Sequence, residues 1–260
     1  MKDAVIVSGA RTPVGRFGGA FKDVSSPDLG SQAIKAALER AGITPDMVDE
    51  VVIGNAVQAA EAGYAARLAS LKSGIPHDVP TIAINRQCSS GLEAINMAAQ
   101  LIRTGEAEIA VAGGTENMSQ VPYMIEYKAR FDGLRMGNST LVDGLTEGLG
   151  CPVNRYHMGV TAENVAERFG VSRKDQDELA FISHQRASTA ASEGRFTNQI
   201  TEIEVQQRRS DPVTVSEDEG PRADTTIESL SVLRPVFKKD GTVTAGNASS
   251  INDGAAAVVM

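Results

Sequence analysis

The first 120 residues alternate between short β-branched apolar runs and longer stretches whose apolar positions recur at helical spacing. Residues 4–8 read as a strand and feed a glycine-rich loop over 9–19. Ser26, Pro27 and Asp28 make a helix start; Leu29, Ala33, Ile34, Ala37, Leu38 and Ala41 follow on one face, and Gly42 stops it. A strand is expected over 50–57 and a helix over 62–73, closed by Gly74. The run from Thr81 reads as a buried strand, and Leu92, Ile95, Ala98, Ala99 and Ile102 mark the helix after it. Residues 108–112 give another strand, ending on Gly113 and Gly114. Such alternation is the signature of an α/β fold with a mostly parallel sheet and helices on both faces. Right-handed crossovers then bring the C-terminal strand ends to one edge, where ligands bind.

After Thr115 the pattern changes. From 116 to 154 the apolar periodicity fades into an excursion too long for a structureless loop, and hence functional. A helix is predicted over 161–168 with Thr161 as cap. Ser172 caps a longer one to about Glu193, with Leu179, Ile182 and Ala187 on its inner side. A strand over 199–206, a polar acidic loop over 210–224 and a short helix over 225–233 follow. Residues 242–260 pass from a small-residue loop into an apolar run that reaches the last residue; this reading expects a chain incomplete as a folding or catalytic unit.

Composition narrows the function classes. The net charge of -8 argues against a nucleic-acid backbone as partner, and the absence of tryptophan argues against stacking platforms for single strands. An anionic small molecule stays open, since a local basic pocket can sit on an acidic protein. No apolar run approaches membrane-spanning length and the N-terminus has no signal-peptide pattern, so a cytoplasmic protein is expected. The glycine-rich loop over 9–19 lacks both the P-loop ending and the dinucleotide spacing. Two cysteines, Cys88 and Cys151, form neither a metal spacing nor a disulfide framework, which suits a reducing compartment.

Cys88 falls where a strand hands over to a helix, beside first-turn N–H groups and the positive end of the helix dipole, an environment that favours thiolate. Most lone cysteines fill space, but Gln87, Ser89 and Ser90 are not the neighbours of an inert core thiol. The residue types point to a nucleophile.

Several motifs, in order, resemble one family. Ala10-Arg11-Thr12-Pro13-Val14-Gly15-Arg16-Phe17-Gly18-Gly19 resembles the opening motif of thiolases, and Asn85-Arg86-Gln87-Cys88-Ser89-Ser90-Gly91 their nucleophile motif. Gly113-Gly114-Thr115-Glu116-Asn117-Met118-Ser119, the run from His157 to Asn164, and Gly246 to Ser249 with Asp253 to Ala256 complete the series. The resemblance implies a thiolase-fold N-terminal half: residues 1–118 as core, 119–241 as an inserted loop domain for oligomerisation and coenzyme A binding, and 242–260 as a truncated return to the core sheet. It also implies that these residues lack the C-terminal thiolase domain, which in the family supplies a histidine, an asparagine motif and a second cysteine; His77 and His184 do not match it.

The resemblance further implies that Cys88 is the acylated nucleophile. Arg222 would lie near the nucleotide phosphates and Ser229 near the adenine. Leu145, His157 and Met158 would border the pantetheine and acyl group, with Phe237, Ala245 and Ser249 along the tunnel. His157 has a structural alternative, and His184 reads as a surface residue in mid-helix. His157 before Met158 is similar to the short-chain, acetoacetyl-forming branch. The implied reaction condenses two acetyl-CoA to acetoacetyl-CoA and CoA, or reverses it, with the thioesters as substrates, no cofactor and no metal. The fragment alone is expected to turn over little, needing a second half in a longer chain or a separate subunit. Residues 122–148 resemble a tetramerisation loop, with Arg135, Met136, Gly137 and Asp143 in similar places, so a homodimer or tetramer is implied. The segment 148–155 is longer than the family pattern and carries Cys151. Two other classes remain: a non-catalytic acyl-CoA-binding or assembly half, and a ketoacyl-synthase-like condensing enzyme.

Overall fold

The computed structural model describes residues 3–260. In chain order its strands and helices are β1 (Ser8–Arg11), β2 (Gly15–Arg16), α1 (Ser26–Ala41), β3 (Glu50–Gly54), α2 (Ala65–Lys72), β4 (Thr81–Ile84), α3 (Ser90–Thr104), β5 (Ala110–Asn117), β6 (Tyr123–Ile125), α4 (Ala129–Asp132), β7 (Leu141–Asp143), α5 (Gly144–Gly148), α6 (Met158–Phe169), α7 (Arg173–Ser192), β8 (Ile203–Val205), β9 (Val213–Val215), α8 (Ile227–Ser231) and β10 (Asn252–Val259). They form two compact units: 1–120 with 196–220 and 251–260, and 121–195 with 221–250.

The first unit is an α/β layer structure around a sheet ordered β1-β10-β5-β3-β4, with β2 paired to β10. β5, β3 and β4 are parallel, and β10 runs antiparallel to both β1 and β5. Successive residues of the central strands face opposite layers. Val51, Ile53 and Val111 pack with Leu29, Ala33 and Ile34 of α1 and Ala66 and Ala69 of α2. Val52, Ala110 and Ala112 pack with Ala94, Ala98 and Ile102 of α3. The continuous apolar runs of β3 and β5 are therefore those of strands covered on both faces.

Local chemistry accounts for the helix ends. Ser25, one residue earlier than predicted, caps α1 by accepting from the Asp28 N–H, and Gly42 closes it at φ 67°. A capping box of Ser172 and Asp175 opens α7.

The predicted strands differ in extent: that over 50–57 ends at Gly54, that over 199–206 is only Ile203–Val205, and three others depart further. The first begins at Ser8, not Ala4. Ser8 pairs with Val259 and Val7 N–H still bonds the Val259 carbonyl, but register carries residues 4–6 past the β10 pairing, and Val5 and Ile6 are exposed. β4 is an edge strand with Ala83 exposed, not a buried one. β5 runs through its two glycines to Asn117, because β10 approaches so closely that a Cβ on Gly113 would collide with the Ala256 carbonyl.

The 119–241 insertion is also interrupted. Residues 196–220 pack with the first unit, since Ile203 and Val205 of β8 are buried among the α1-side core residues. The predicted polar loop over 210–224 contains β9, paired antiparallel to β8. Beyond β9, Asp218 takes a two-pronged bond from Arg11 at 2.7 and 3.0 Å, and Glu219 accepts from the Arg16 and Ala20 N–H groups.

The second unit has a different interior. Its buried apolar residues include Leu145, Ala166, Leu230 and Val243, beside the equally buried Glu163, Asp177, Thr225 and Thr244. β6 and β7 form a small antiparallel ribbon. Leu179 and Ile182, predicted on the inner side of α7, are exposed. The inner side is polar: Arg173 donates to the Leu230 carbonyl, Asp177 accepts from Asn247, and Gln185 donates to the Ala223 carbonyl. His184 is on it too, half-buried and accepting from the Arg222 N–H at 3.2 Å, rather than on the surface. No helix among the described residues is long and apolar enough to cross a membrane.

Candidate active site

Cys88 lies in the turn 85–89 between β4 and α3, and its side chain is exposed. It is one residue before Ser89, the N-cap of α3. Gln87 just before it adopts φ 51°, the left-handed region disfavoured for a residue with a Cβ, at a cost of about 1 kcal/mol or more. Local hydrogen bonds brace the turn against the start of α3. Ser90 Oγ accepts from the Arg86 N–H at 2.8 Å and donates to the Gln87 carbonyl at 2.6 Å, while Ser89 Oγ donates to the Arg86 carbonyl. Beneath it, a Cβ on Gly54 would stand 2.5 Å from the Ser90 carbonyl carbon. Glycine there lets the end of β3 touch the start of α3. A strained, exposed strand-to-helix turn at the C-terminal end of a parallel strand is a fitting mount for a nucleophile.

The other eight predicted site residues belong to the second unit. His157 and Phe237 meet there, their rings stacked with centroids 5.0 Å apart and 13° between planes. His157 also caps α6, which therefore starts before the predicted Thr161: its Nδ1 accepts from the Gly159 N–H at 3.0 Å. That bond leaves the hydrogen of the neutral ring on Nε2. Met158, next to it, is exposed, whereas Leu145 is buried. Arg222 and Ser229 share the segment tied to α7 through His184, Gln185 and Arg173; both are exposed. The Ser229 hydroxyl is engaged in the capping box of α8 with Thr226. Ala245 and Ser249 are exposed in the turn after Val243.

That turn rests on two carboxylates that the sequence reading missed. Glu163 accepts from the N–H groups of Thr242 and Val243 and from Thr242 Oγ1 at 2.8–3.0 Å. Burial pushes its carboxyl up, but these donors and the Lys238 charge bring it below its ordinary value. Asp177 holds Asn247 at 2.9 Å and Arg173 at 2.8 Å. Apart from Arg173, one turn away on α7, these partners lie about 70 to 80 residues away in sequence, beyond any local pattern.

The long segment carrying Cys151 is a closed loop whose ends meet at a bridge between Gly150 and His157. Cys151 N–H donates to the Tyr156 carbonyl, and its sulfur accepts from the Asn154 N–H at 3.4 Å. Backbone N–H groups of Asn154 and Val153 draw its thiol below the ordinary range. A cleft of about 220 Å³ beside it is lined in part by Arg155, Tyr156 and His157.

Comparison with known proteins places this geometry in context. Residues 4–260 match the model of the thiolase N-terminal domain. A probable acetyl-CoA acyltransferase of Staphylococcus aureus (strain COL) is 48% identical over the whole chain, and an acetyl-CoA acetyltransferase of Pseudomonas aeruginosa is 49% identical; the match covers 66% of each. The chain thus spans about two thirds of the length of the curated relatives it matches. The crystal structure of the Bacillus anthracis acetyl-CoA acetyltransferase superposes on all of the chain with TM-score 0.95 at 43% identity, over 66% of its own length. Human mitochondrial 3-ketoacyl-CoA thiolase, crystallised with CoA, superposes on 98% with TM-score 0.92 at 42% identity, over 63% of its own length. The model match over residues 4–260 and relatives 48–49% identical over the whole chain show that the chain belongs to the thiolase N-terminal domain family.

Proposed function

We propose that the chain is the nucleophile-bearing part of an acetyl-CoA acetyltransferase and that Cys88 carries the acyl group. The Cys88 thiolate attacks the acetyl carbonyl of acetyl-CoA. A carbon–sulfur bond forms to the enzyme, the bond to CoA breaks, and the CoA thiolate leaves and takes a proton. One thioester replaces another, so the step is nearly balanced in energy. A second acetyl-CoA, deprotonated at its methyl carbon, then attacks the acyl-enzyme; Cys88 thiolate departs and acetoacetyl-CoA is formed. The base for that proton is assigned to a C-terminal half, so this chain alone is expected to acylate but scarcely turn over. CoA thioesters are substrates here, and no cofactor or metal is invoked.

The observation that carries the reading is the exposed Cys88 on a strained turn at the C-terminal end of a parallel strand. The CoA bound to the human relative supports a CoA thioester as the ligand. In this reading Arg222 meets phosphate and Ser229 the adenine end. Leu145, His157, Met158, Phe237, Ala245 and Ser249 contact pantetheine and acyl group, His157 through its Nε2–H. The protein is assigned to the cytoplasm and to a homodimer or tetramer, which light scattering at micromolar concentration tests; a monomer refutes the assembly. Incubation with labelled acetyl-CoA, followed by intact mass, tests the chemistry. A single acetyl adduct is expected, kept by Cys151→Ser and lost in Cys88→Ala. No adduct, even with a C-terminal thiolase half added, overturns it in favour of a binding or assembly module.

A further inference from the structure

Glu116 stands near the end of β5, where its register partner on β10 is Gly254. Its carboxylate reaches the residues that follow β3. It accepts from the Ala56 N–H at 2.7 Å, from Asn55 Nδ2 at 3.0 Å and from the Val57 N–H at 3.4 Å. Asn55 is 2% exposed, donates a second bond to the Thr115 carbonyl and takes its own N–H to the Ile84 carbonyl, the last residue of β4. From Ala56 the connection continues outward. The Ala56 carbonyl accepts from Asn85 Nδ2 at 2.8 Å, and Asn85 Oδ1 accepts from the Gln87 N–H at 3.1 Å. Gln87 is the left-handed residue immediately before Cys88.

We propose that Glu116 is a positioning residue for Cys88, acting through residues 55–57 and Asn85 to hold Gln87 in the left-handed conformation that presents the thiol. The inference rests on Cys88 being the nucleophile, but what it concerns is the geometry of the turn. Gln87 would relax to negative φ if the turn were free, since nothing in its own side chain favours the left-handed form as glycine would. The internal bonds of Ser89 and Ser90 fix the start of α3 relative to the turn; they do not anchor Asn85. That anchor comes from the neighbouring strand end, which the half-buried Glu116 carboxylate holds through Ala56 and Asn55. Burial raises the Glu116 carboxyl against the lowering effect of Ala56, Val57 and Asn55, so the group is retained there at a cost.

The test is alkylation of the intact chain by iodoacetamide, read by peptide mass, with Cys151 as an internal clock in the same molecule. Glu116→Ala and Asn85→Ala are each expected to slow Cys88 alkylation by about tenfold while leaving Cys151 unchanged. The double variant is expected to be no slower than the slower single one, because both act through one chain of contacts. Glu116→Gln, which keeps the shape and an acceptor for Ala56 but turns an N–H₂ group toward Asn55, is expected to fall between. It serves where Glu116→Ala fails to fold by circular dichroism. A Cys88 rate within about twofold of the parent in the folded Glu116 variants, or additive effects in the double variant, overturns the proposal. Alkylation needs no acyl-CoA. A failed acetylation with these alkylation changes present would therefore refute the acyltransferase reading and leave the positioning role standing.

Discussion

The two units of this chain are held together by different physics. In the sheet unit, Phe21, Leu29, Ile34, Val51, Ile53 and Val111 are fully buried hydrocarbon, and the helices lie against both faces of a closely packed sheet. In the second unit, Glu163 and Asp177 take the place of a large apolar core, each gathering donors from the residues that follow α8. Hydrocarbon packing is non-directional and tolerant of sequence, so it builds a rigid platform from a simple pattern. Carboxylate anchors are directional and depend on complete satisfaction, so they fix one particular turn and fail together when one oxygen is lost. Cys88 sits on the first kind of structure, with Glu116 as a carboxylate link behind its turn; of the eight residues proposed to meet the rest of the substrate, Ala245 and Ser249 are in the turn tied by the second kind.

The largest effect that can break this contrast is in the platform. Leu29→Ala removes a fully buried side chain facing the sheet and is expected to destabilise the sheet unit by about 4 kcal/mol, measured by denaturant unfolding. A cost near 1 kcal/mol would mean that the platform collapses around cavities and is not rigid. Next in size, Glu163→Ala strands the N–H groups of Thr242 and Val243 and is expected to cost about 3 kcal/mol. Amide exchange should quicken over 242–247 and leave β3 and β5 protected. Equal quickening in both would show one cooperative structure and erase the distinction.

The smallest effect is the response to acid, and it sharpens the contrast by sign. Glu163 is held below its ordinary value of 4.5, so its contribution is present above that value and is lost as pH falls through the folded-state value. In the sheet unit, burial raises Glu50, Glu116 and Asp253. These groups cost stability at neutral pH, and the cost is relieved as they take up protons on acidification. Asp28, lowered by Lys72 and Ser25 against its own burial, opposes them in part. Amide exchange corrected for intrinsic rate, compared at about pH 7 and about pH 4, should show 242–247 losing protection relative to β3 and β5. The reverse order would count against Glu163 as the anchor.

Helix and strand alternation, the caps at Gly42 and Ser172, and the junction that carries Cys88 were legible in the chain because each is written within a few consecutive residues. The same locality explains the misses. Leu179 and Ile182 satisfy a helical apolar pattern, yet α7 turns Asp177, His184 and Gln185 inward because their partners arrive from residues 222–247. Glu116 was visible as part of a motif, but its role appears only when the ends of β3 and β5 are side by side.

What the sequence determined by itself was the set of elements, the α/β class and the placing of a cysteine at a strand-to-helix turn, since periodicity and capping act over one or two turns of chain. Only the tertiary structure decided that β10 enters antiparallel between β1 and β5, that residues 196–220 return to the sheet unit, and which carboxylate serves which turn. Those outcomes depend on groups as far apart in sequence as Thr12 and Ala255 being desolvated together, and no local pattern encodes the partner that such burial requires.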